Sequence, residues 1–385
     1  MTDHRPVPPT LSARALNRAT LGRQLLLHRT RLDVLEAMGR IVAVQAQHPA
    51  SPYVALWNRI DEFDPAALDR AFARHEIVKG TSIRMTLHAV LAEDHPPFHE
   101  AMQPSLRESR LSDSRFRVAG LTPADVDALI PEVLEYASEP RSNADMEAWF
   151  DRRLGVLERP GVWWALRTYA PVIHAPTGGP WSFGPRPAYL AARQLRHLGD
   201  PELALSHLVR RYLEGFGPAS VADIAQFCRV QRVRVRAAME ALGDSLVRVA
   251  GPSSHPLFDL AGGLLPDEDE PAPARLLGMW DEVLLAYMDR SRVVPDPYRR
   301  TVTRVNGDVL PTLLVDGFVA GVWRPVEDGI EATAFHPLDD DSWEELDGEA
   351  RRLQAFLADR EPLVYGRYGH WWSQLPAGTV RVLGR

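Results

Sequence analysis

Gln45 and Gln47 flank a single alanine and come just before the His48-Pro49 pair. A side-chain amide carries one acceptor oxygen and a donor NH₂ group. Two fixed amides can therefore cap backbone carbonyls, hold a partner strand, or bind a water molecule or the edge of a nucleic-acid base. Residue type alone does not choose between these structural and chemical roles.

A helix is predicted to lead into the two amides. Apolar residues recur with the spacing of one helical face at Val34, Leu35, Met38, Ile41, Val42 and Val44. Because proline disfavours helical backbone at the residue before it, this helix is predicted to end near Gln47. Both amides are then expected at a helix end.

The composition predicts a folded protein of the cytosol. The 385 residues are 45% hydrophobic and 25% charged, which is ordinary for a chain of two to four domains. The first residues have no apolar core typical of a signal peptide, and no apolar run reaches the length of a membrane span. With Cys228 as the single cysteine, neither an internal disulfide nor a cysteine-based zinc or iron-sulfur site is expected.

The charge distribution is uneven. A formal net charge of -7 argues weakly against nucleic-acid binding. However, residues 1–60 and 186–250 are rich in arginine, whereas residues 266–347 are rich in acidic side chains. Lys79 is the only lysine, so any Schiff-base chemistry needs either this residue or the N-terminal amine.

Residues 11–100 follow the element order of a winged helix, in which helices precede a hairpin. The predicted helices span residues 11–27, 33–47, 51–60 and 64–75. Asp64-Pro65 is a helix start signal, with aspartate as the cap and proline in the first turn. Two β-rich runs within residues 77–91 flank Gly80-Thr81-Ser82 and predict the hairpin.

The same order returns twice. Thr122 and Ser142 each begin a capping signal, and the stretch WWALRTYAPVIHAP is predicted to contain a strand. Further along, Gly217 is predicted to end one helix and Ser220 to cap the next. After a second short helix, residues 246–265 can form a wing.

The predicted fold class is therefore α+β, with tandem winged-helix motifs followed by a small antiparallel β-rich C-terminal domain. The predicted units are residues 11–100, 101–185, 186–270 and 275–385. In the last unit, hairpin turns are indicated at Asn306-Gly307, Asp316-Gly317 and Asp328-Gly329. A helix is predicted over residues 343–357.

Two groups of side chains are candidates for DNA contact. Arg232 and Arg234 lie at the start of the predicted recognition helix, where guanidinium groups can reach phosphates or guanine edges. A solvated basic face is the alternative. The hairpin contributes four further candidates, Lys79, Arg84, Thr86 and His88. A surface hairpin without function would show the same pattern.

Other kinds of site have no support in the sequence. The histidines do not have metal-ligand spacing, so no metal is expected. Phosphate-binding and dinucleotide-binding glycine motifs are missing, as is a catalytic serine elbow, so no cofactor is expected either. Asp281 and Asp289 are predicted to pair with Arg290 or Arg292.

Five stretches, taken in order, resemble one known family. They are AVQAQ, RMTLHAV, GFGPASVADIAQF, RLLGMWDEVLLAYMDRSRV and LPTLLVDGFVAGVW. Together they resemble the winged-helix DNA glycosylases of the AlkZ type, which include azinomycin self-resistance enzymes. The resemblance extends from about Leu11 to Leu357.

The resemblance implies tandem winged-helix motifs around a concave DNA cleft. It also implies a monofunctional glycosylase that releases alkylated purines and, in some members, unhooks interstrand crosslinks. The catalytic signature of the family is Gln-Φ-Gln or Gln-Φ-Asp, and Gln45-Ala46-Gln47 matches the first form. The hydrophobic position Φ is occupied by alanine, a very small residue. The resemblance therefore implies that the chain belongs to the branch of the family that handles bulky adducts.

The chemistry of the residues agrees with this expectation. A purine alkylated at N7 or N3 is cationic and leaves as a neutral base, so the carboxylate pair of ordinary glycosidases becomes unnecessary. Two fixed amide oxygens can hold a water against C1′ and stabilise an oxocarbenium-like sugar. Because Lys79 is expected at the DNA backbone, no Schiff-base lyase activity is predicted.

Two rival functions remain open at this point. A winged-helix transcriptional regulator would bind a sequence-specific operator, usually as a dimer, and would give the amides no role beyond structure. A protein that sequesters a DNA-reactive metabolite would protect DNA by stoichiometry. The glycosylase hypothesis instead predicts a monomer acting on double-stranded DNA that contains alkylated purines.

Overall fold

The computed structural model describes residues 10–155, 160–192 and 198–385, and it contains helices together with antiparallel sheets. The helices are α1 (Ala13–Arg23), α2 (Val34–Ile41), α3 (Ser51–Trp57), α4 (Pro65–Ala73), α5 (His95–Leu111), α6 (Ser114–Arg117), α7 (Pro123–Asp127), α8 (Ile130–Tyr136), α9 (Asn143–Leu154), α10 (Pro160–Tyr169), α11 (Pro201–Phe216), α12 (Val221–Cys228), α13 (Arg232–Leu242), α14 (Arg299–Val302) and α15 (Asp340–Ala358). In the part of the chain so described, no helix combines the length and apolarity needed to cross a bilayer.

The strands form three antiparallel sheets. They are β1 (Val44–Gln45), β2 (Ile77–Thr81), β3 (Leu87–Leu91), β4 (Arg141–Ser142), β5 (Val172–Ala175), β6 (Ala188–Ala191), β7 (Leu246–Val249), β8 (Leu257–Leu260), β9 (Arg275–Leu277), β10 (Thr312–Val315), β11 (Phe318–Val326), β12 (Gly329–Ala334) and β13 (Thr379–Leu383). The first sheet has the order β1-β3-β2-β5-β6-β4, the second β13-β12-β11-β10-β9, and β7 pairs with β8. The first sheet joins β1, β2 and β3 of the first predicted unit, β4 and β5 of the second, and β6, which lies just inside the third.

The segment before the glutamines differs from the prediction. Helix α2 begins with a capping box between Asp33 and Glu36, as its sequence favours, but it ends at Ile41 because Val42 adopts a φ of 74°. Gln45 therefore lies on the short strand β1 and not at a helix end. The prediction was wrong because a short buried apolar run fits a strand as well as a helix, and β-branched valines favour the strand.

The hairpin is confirmed, but its turn lies elsewhere than predicted. Strand β2 continues to Thr81, and the chain reverses over residues 82–86. Gly80 stays inside the strand, where a Cβ atom would lie 2.8 Å from His95 Nε2. The glycine thus allows close packing and is not a turn residue. Arg84 and Met85 instead take positive φ values of 53° and 62°.

The stretch WWALRTYAPVIHAP is half helix and half strand. The predicted strand is confirmed only over Val172–Ala175, because α10 extends to Tyr169. Val162, Leu166 and Tyr169 are all fully buried at helical spacing. The 3.6-residue period of this apolar face outweighs the strand preference of its aromatic and β-branched residues.

The sequence signals of the third predicted unit are confirmed. Ser220 accepts a hydrogen bond from the backbone of Asp223 in a capping box, and Gly217 follows the last residue of α11. Helix α13 then leads to the β7-β8 hairpin, which lies within the predicted wing region. Residues 201–260 thus contain three helices followed by a two-stranded hairpin.

The C-terminal sheet contains both predicted Asp-Gly hairpins. Strands β10 and β11 reverse at Asp316-Gly317, and β11 and β12 reverse at Asp328-Gly329. Strand β13 at the sheet edge was not predicted. Two buried arginines of helix α1 form ion pairs with two different sheets. Arg23 pairs with Asp259 on β8 at 2.7 Å, and Arg18 pairs with Asp316 in the turn between β10 and β11.

Candidate active site

Gln45 is held at the edge of the first sheet with its amide turned inward. Strand β1 pairs with β3 so that Gln45 lies opposite His88. The glutamine is only 3% exposed. Its Oε1 accepts a hydrogen bond of 3.1 Å from Nη2 of Arg84, on the hairpin turn. A buried amide with this charged donor is fixed in one orientation.

Gln47 is exposed, yet its amide oxygen is also bound to the hairpin. The backbone N–H of Ala46 donates to the carbonyl of Leu87 at 2.7 Å. One residue on, Oε1 of Gln47 accepts the N–H of Leu87 at 3.0 Å. The side chain thereby continues the strand pairing that the backbone of β1 begins.

Both amide orientations follow from chemistry. Arginine and a backbone N–H can only donate, so the atom facing each of them must be the amide oxygen and not the nitrogen. Each of these oxygens has two lone pairs and accepts one hydrogen bond from the described residues. Both predicted catalytic residues thus have their carboxamides bound to the β2-β3 hairpin.

A buried charge cluster lies behind Gln45. Nη2 of Arg84 is 2.8 and 3.0 Å from the two carboxylate oxygens of Glu282, and Nε2 of His88 is 2.9 Å from Oε1. We call Gln45, Arg84, His88 and Glu282 the Glu282 cluster. The Glu282 and His88 side chains are 2% and 0% exposed. Within it, the Arg84 charge is matched by a carboxylate.

Glu282 stays ionised in this cluster. Burial alone would raise the pKa of its carboxyl group. The nearby Arg84 charge and the hydrogen bond with His88 outweigh burial and lower the pKa to about 2. The cluster therefore carries an anion that orients Arg84, and Arg84 in turn orients the Gln45 amide.

Three of the hairpin residues predicted to contact DNA are held by the protein itself. His88 is fully buried, and Arg84 points toward Glu282. Thr86 Oγ1 donates to the carbonyl of Ile83 at 3.1 Å within the turn. Simple strand alternation missed this arrangement because the 3₁₀ turn at residues 83–85 redirects the side chains.

Glu282 itself was not singled out from the sequence. The sequence feature that could have indicated a buried carboxylate is the acidic pair Asp281-Glu282 inside the apolar stretch MWDEVLLAYM. The predicted pairing of Asp281 with Arg290 or Arg292 is wrong, because Asp281 binds Arg59 through two hydrogen bonds of 2.8 Å. Arg59 is 222 residues away along the chain, beyond any local pattern.

Lys79 lies in a cavity on the other side of Gln47. The cavity holds about 630 Å³ and has Gln47 and Lys79 among its lining residues. We call it the Lys79 pocket. Lys79 is 5% exposed, and its ammonium lies 4.5 Å from the centre of the Phe183 ring. Burial lowers the pKa of Lys79 to about 8.

The two arginines of the predicted recognition helix are in different situations. Arg232 is exposed at the start of α13. Arg234 is half-buried and forms a salt bridge of 2.8 Å with Glu202 on α11. Both are on α13, and Gln231, which directly precedes that helix, lines a cavity of about 460 Å³ together with Arg84.

Metal-ligand geometry does not occur in the described ranges, which contain no group of three or more histidine, cysteine, aspartate or glutamate residues suited to an ion. Cys228 is fully buried, and burial raises the pKa of its thiol to about 12. A thiol with such a high pKa is a poor nucleophile.

Comparison with known proteins gives consistent matches. Residues 38–356 match the family model described as DNA glycosylase AlkZ-like. An interstrand DNA cross-link repair glycosylase of Streptomyces sahachiroi is 28% identical over 331 residues, which cover 81% of this chain and 88% of that protein. The solved structure of Streptomyces sahachiroi DNA glycosylase AlkZ superposes with a TM-score of 0.79 at 22% identity, covering 92% of this chain and 99% of that one.

Proposed function

The chain belongs to the AlkZ-like DNA glycosylases, and from this premise we propose that it hydrolyses the N-glycosidic bond of purines alkylated at N7 or N3. The observation that carries the proposal is the geometry of Gln45 and Gln47. Their carboxamides are fixed by donor-only groups and keep one free lone pair on each oxygen. The rival reading as a regulator without catalysis is not favoured, because the family consists of enzymes.

The proposed reaction needs no general acid. An alkylated purine cation leaves the sugar as a neutral base, so no proton has to be delivered to it. The free lone pairs of Gln45 and Gln47 orient the attacking water, and the amide dipoles stabilise the positive charge that develops on the sugar. Because glutamine is not a base, the reaction is restricted to labile cationic lesions, and undamaged DNA is not hydrolysed.

Bulky adducts are the proposed natural lesions. The relative from Streptomyces sahachiroi is described as an interstrand DNA cross-link repair glycosylase, and we propose a role in repair of such lesions, and in self-resistance, for the present chain. Ala46, between the two glutamines, is fully buried and adds no bulk next to the amides. A small residue here agrees with a lesion that is itself large.

Double-stranded DNA is the proposed partner, and a monomer suffices for one cleft. We propose that residues 11–100, 101–185 and 186–270 act as winged-helix units on the duplex, with 275–385 as the β-rich domain. Among the predicted contact residues, Lys79, Arg232 and Arg234 keep this role. Arg84 and His88 are assigned instead to holding Gln45, because both bind Glu282.

The test is a single-turnover excision assay on a duplex with one 7-methylguanine, in which alkali cleaves the abasic product. Wild type should release the base, whereas Gln45→Ala and Gln47→Ala should each lose about 100-fold or more in rate constant. Gln103→Ala, on α5, is the matched control and should match wild type. Equal rates for all four proteins would overturn the assignment of the amides.

A wild type that is inactive on 7-methylguanine calls for a second substrate, a duplex treated with a bulky alkylating antibiotic. Release from that duplex by wild type alone would support the proposed preference for large adducts. Lack of release from both duplexes would overturn the proposed substrate class.

A further inference from the structure

The Lys79 pocket has charged lining residues that the proposed chemistry does not use. Its cations are Lys79, Arg110, Arg167 and Arg367, and Glu361 is the carboxylate among the described lining residues. Glu361 already accepts a hydrogen bond of 2.6 Å from Trp181 Nε1. The pocket is therefore strongly positive, although the chain as a whole carries a net charge of -7.

Lys79 has no anionic partner among the described residues. Its ammonium makes neither a hydrogen bond nor an ion pair with them, and it lies 4.5 Å from the centre of the Phe183 ring. A buried cation without a counter-ion destabilises a fold, because its lost hydration is not replaced. Such a group is retained where a ligand supplies the missing anion.

Within the described part of the chain, the other cations of the pocket donate their hydrogen bonds to neutral groups. Arg110 donates to Thr168 Oγ1 at 3.1 Å, and Arg167 donates to Asn143 Oδ1 at 3.2 Å. Arg367 donates to the hydroxyl of Tyr368. Guanidinium groups that keep free N–H donors and a full charge are suited to phosphate oxygens.

The pKa values of two neighbouring histidines are lowered by burial and by the same positive charges. Burial, followed by the charges of Arg367 and Lys79, lowers the pKa of His48 to about 4. Burial, followed by the charges of Lys79 and Arg167, lowers the pKa of His174 to about 3. A further positive charge is thus disfavoured in this cavity.

Two of the aromatic rings that line the pocket already contact cations. The Phe183 ring centre lies 4.5 Å from the Lys79 ammonium and 4.9 Å from the Phe72 ring centre. The Trp164 ring has the guanidinium groups of Arg110 and Arg115 at 4.4 and 4.2 Å. Rings covered in this way do not offer the open faces on which a flipped base would stack.

We propose that the Lys79 pocket binds a backbone phosphate next to the lesion and excludes the alkylated base, with Lys79 as the central contact. This inference rests on the proposed function, since it assumes a cationic purine as the leaving base. Because Gln47 lines the same pocket, a phosphate bound there places the adjacent sugar beside the Gln47 amide. The cationic base then stays outside the pocket, away from four positive side chains.

Methylphosphonate scanning tests the proposal without requiring any excision. A duplex carries a stable tetrahydrofuran abasic analogue, and single neutral methylphosphonates replace the phosphates within three positions of it. A methylphosphonate at one of these positions should weaken the binding of wild type to the duplex about tenfold. The same methylphosphonate should not weaken the binding of Lys79→Met any further. The slope of log Kd against log salt concentration should also decrease by about one in this variant. Lys79→Arg, which keeps the charge, should retain the wild-type pattern.

Two results would overturn the phosphate site. Every methylphosphonate could weaken wild type and Lys79→Met equally, which would place Lys79 away from the backbone. Alternatively, borohydride could trap a covalent complex between Lys79 and a true abasic duplex, which would make the lysine a Schiff-base nucleophile. Failure of the proposed function looks different: excision would be absent while the methylphosphonate pattern remained.

Discussion

The Glu282 cluster and the Lys79 pocket flank the same short segment, residues 45–47, but they differ in whether their buried cation is paired with a carboxylate. In the cluster, the cation of Arg84 faces a buried carboxylate at 2.8 Å. In the pocket, Lys79 is buried just as deeply but forms no ion pair with a carboxylate of the described residues. The difference separates charges that hold the amides in place from charges that are free to meet DNA.

The two glutamines are held by different groups in the two regions. Gln45 belongs to the cluster and is buried, so its position depends on Arg84 and Glu282. Gln47 lines the pocket and depends only on the backbone of Leu87. We therefore expect changes in the cluster to affect the chemical step, and changes in the pocket to affect the binding of DNA.

The largest effect is expected from Glu282→Gln, which removes the anion of the cluster while keeping its shape. Arg84 is then left buried without a counter-charge, and the free energy of unfolding should fall by about 3 kcal/mol. Misplacement of the Gln45 amide should lower the excision rate constant by up to about 100-fold. Denaturant unfolding and single-turnover excision measure the two effects.

Glu349→Gln is the matched control for this prediction. Glu349 forms a similarly buried pair with Arg29, at 2.6 and 2.8 Å, in the region of α15 and away from the hairpin. It should lose comparable stability but keep the excision rate constant of the folded protein. A similar loss of rate in both variants would show that the Glu282 effect is only a loss of stability.

The acid dependence of stability provides a further check on Glu282. Its folded-state pKa of about 2 lies below the ordinary value of 4.5, so the stabilising effect is complete above pH 4.5. This effect is lost as the pH falls toward 2. The difference in unfolding free energy between wild type and Glu282→Gln should shrink over that range, and a constant difference would contradict the ion-pair account.

An intermediate effect is expected from raising the pH from 7 to 9. Lys79, with a pKa of about 8, loses its charge in this range, so affinity for DNA should fall about tenfold in wild type but not in Lys79→Met. The histidines of the pocket, His48 and His174, are already neutral at pH 7. Fluorescence anisotropy with the tetrahydrofuran duplex measures the change.

The stability of the free protein should respond in the opposite direction. The folded-state pKa of Lys79 lies below its ordinary value of 10.5, so between pH 8 and 10.5 the unfolded chain binds more protons. The stability of wild type should therefore rise relative to Lys79→Met across this window. A parallel decline of stability and affinity would contradict an unpaired buried lysine.

The smallest effect is expected at the surface of α13. Arg232 is exposed and has no ion pair to a described residue, whereas Arg234 is paired with Glu202. Arg232→Gln should weaken binding to all duplexes about threefold, and Arg234→Gln should do less, because its charge is already compensated. Titrations with damaged and undamaged duplexes would reveal a base-specific contact if only one of them changed.

The features that the sequence predicted well depend on neighbouring residues. The helix caps at Asp64 and Ser220 and the Asp-Gly hairpins are local signals, and all are confirmed. The Gln-Ala-Gln segment was recognised because its residues are adjacent. Each of these patterns places the participating groups within a few residues of one another.

The missed features depend on distant residues or on a change of backbone geometry. Glu282 meets His88 across 194 residues, and sequence periodicity carries no information about such a contact. The hairpin turn was misplaced because Gly80 serves close packing against His95. The end of α2 was misplaced because a buried valine run suits both a helix and a strand.

One titration tests the division between the two regions most directly. The single-turnover rate constant for 7-methylguanine excision is measured against enzyme concentration for wild type, Gln45→Ala and Lys79→Met. Gln45→Ala should lower the limiting rate constant about 100-fold with little change in the half-saturating concentration, whereas Lys79→Met should mainly raise that concentration, by about tenfold. Loss of the same parameter in both variants would contradict the account, because the cluster and the pocket would then not have separate roles.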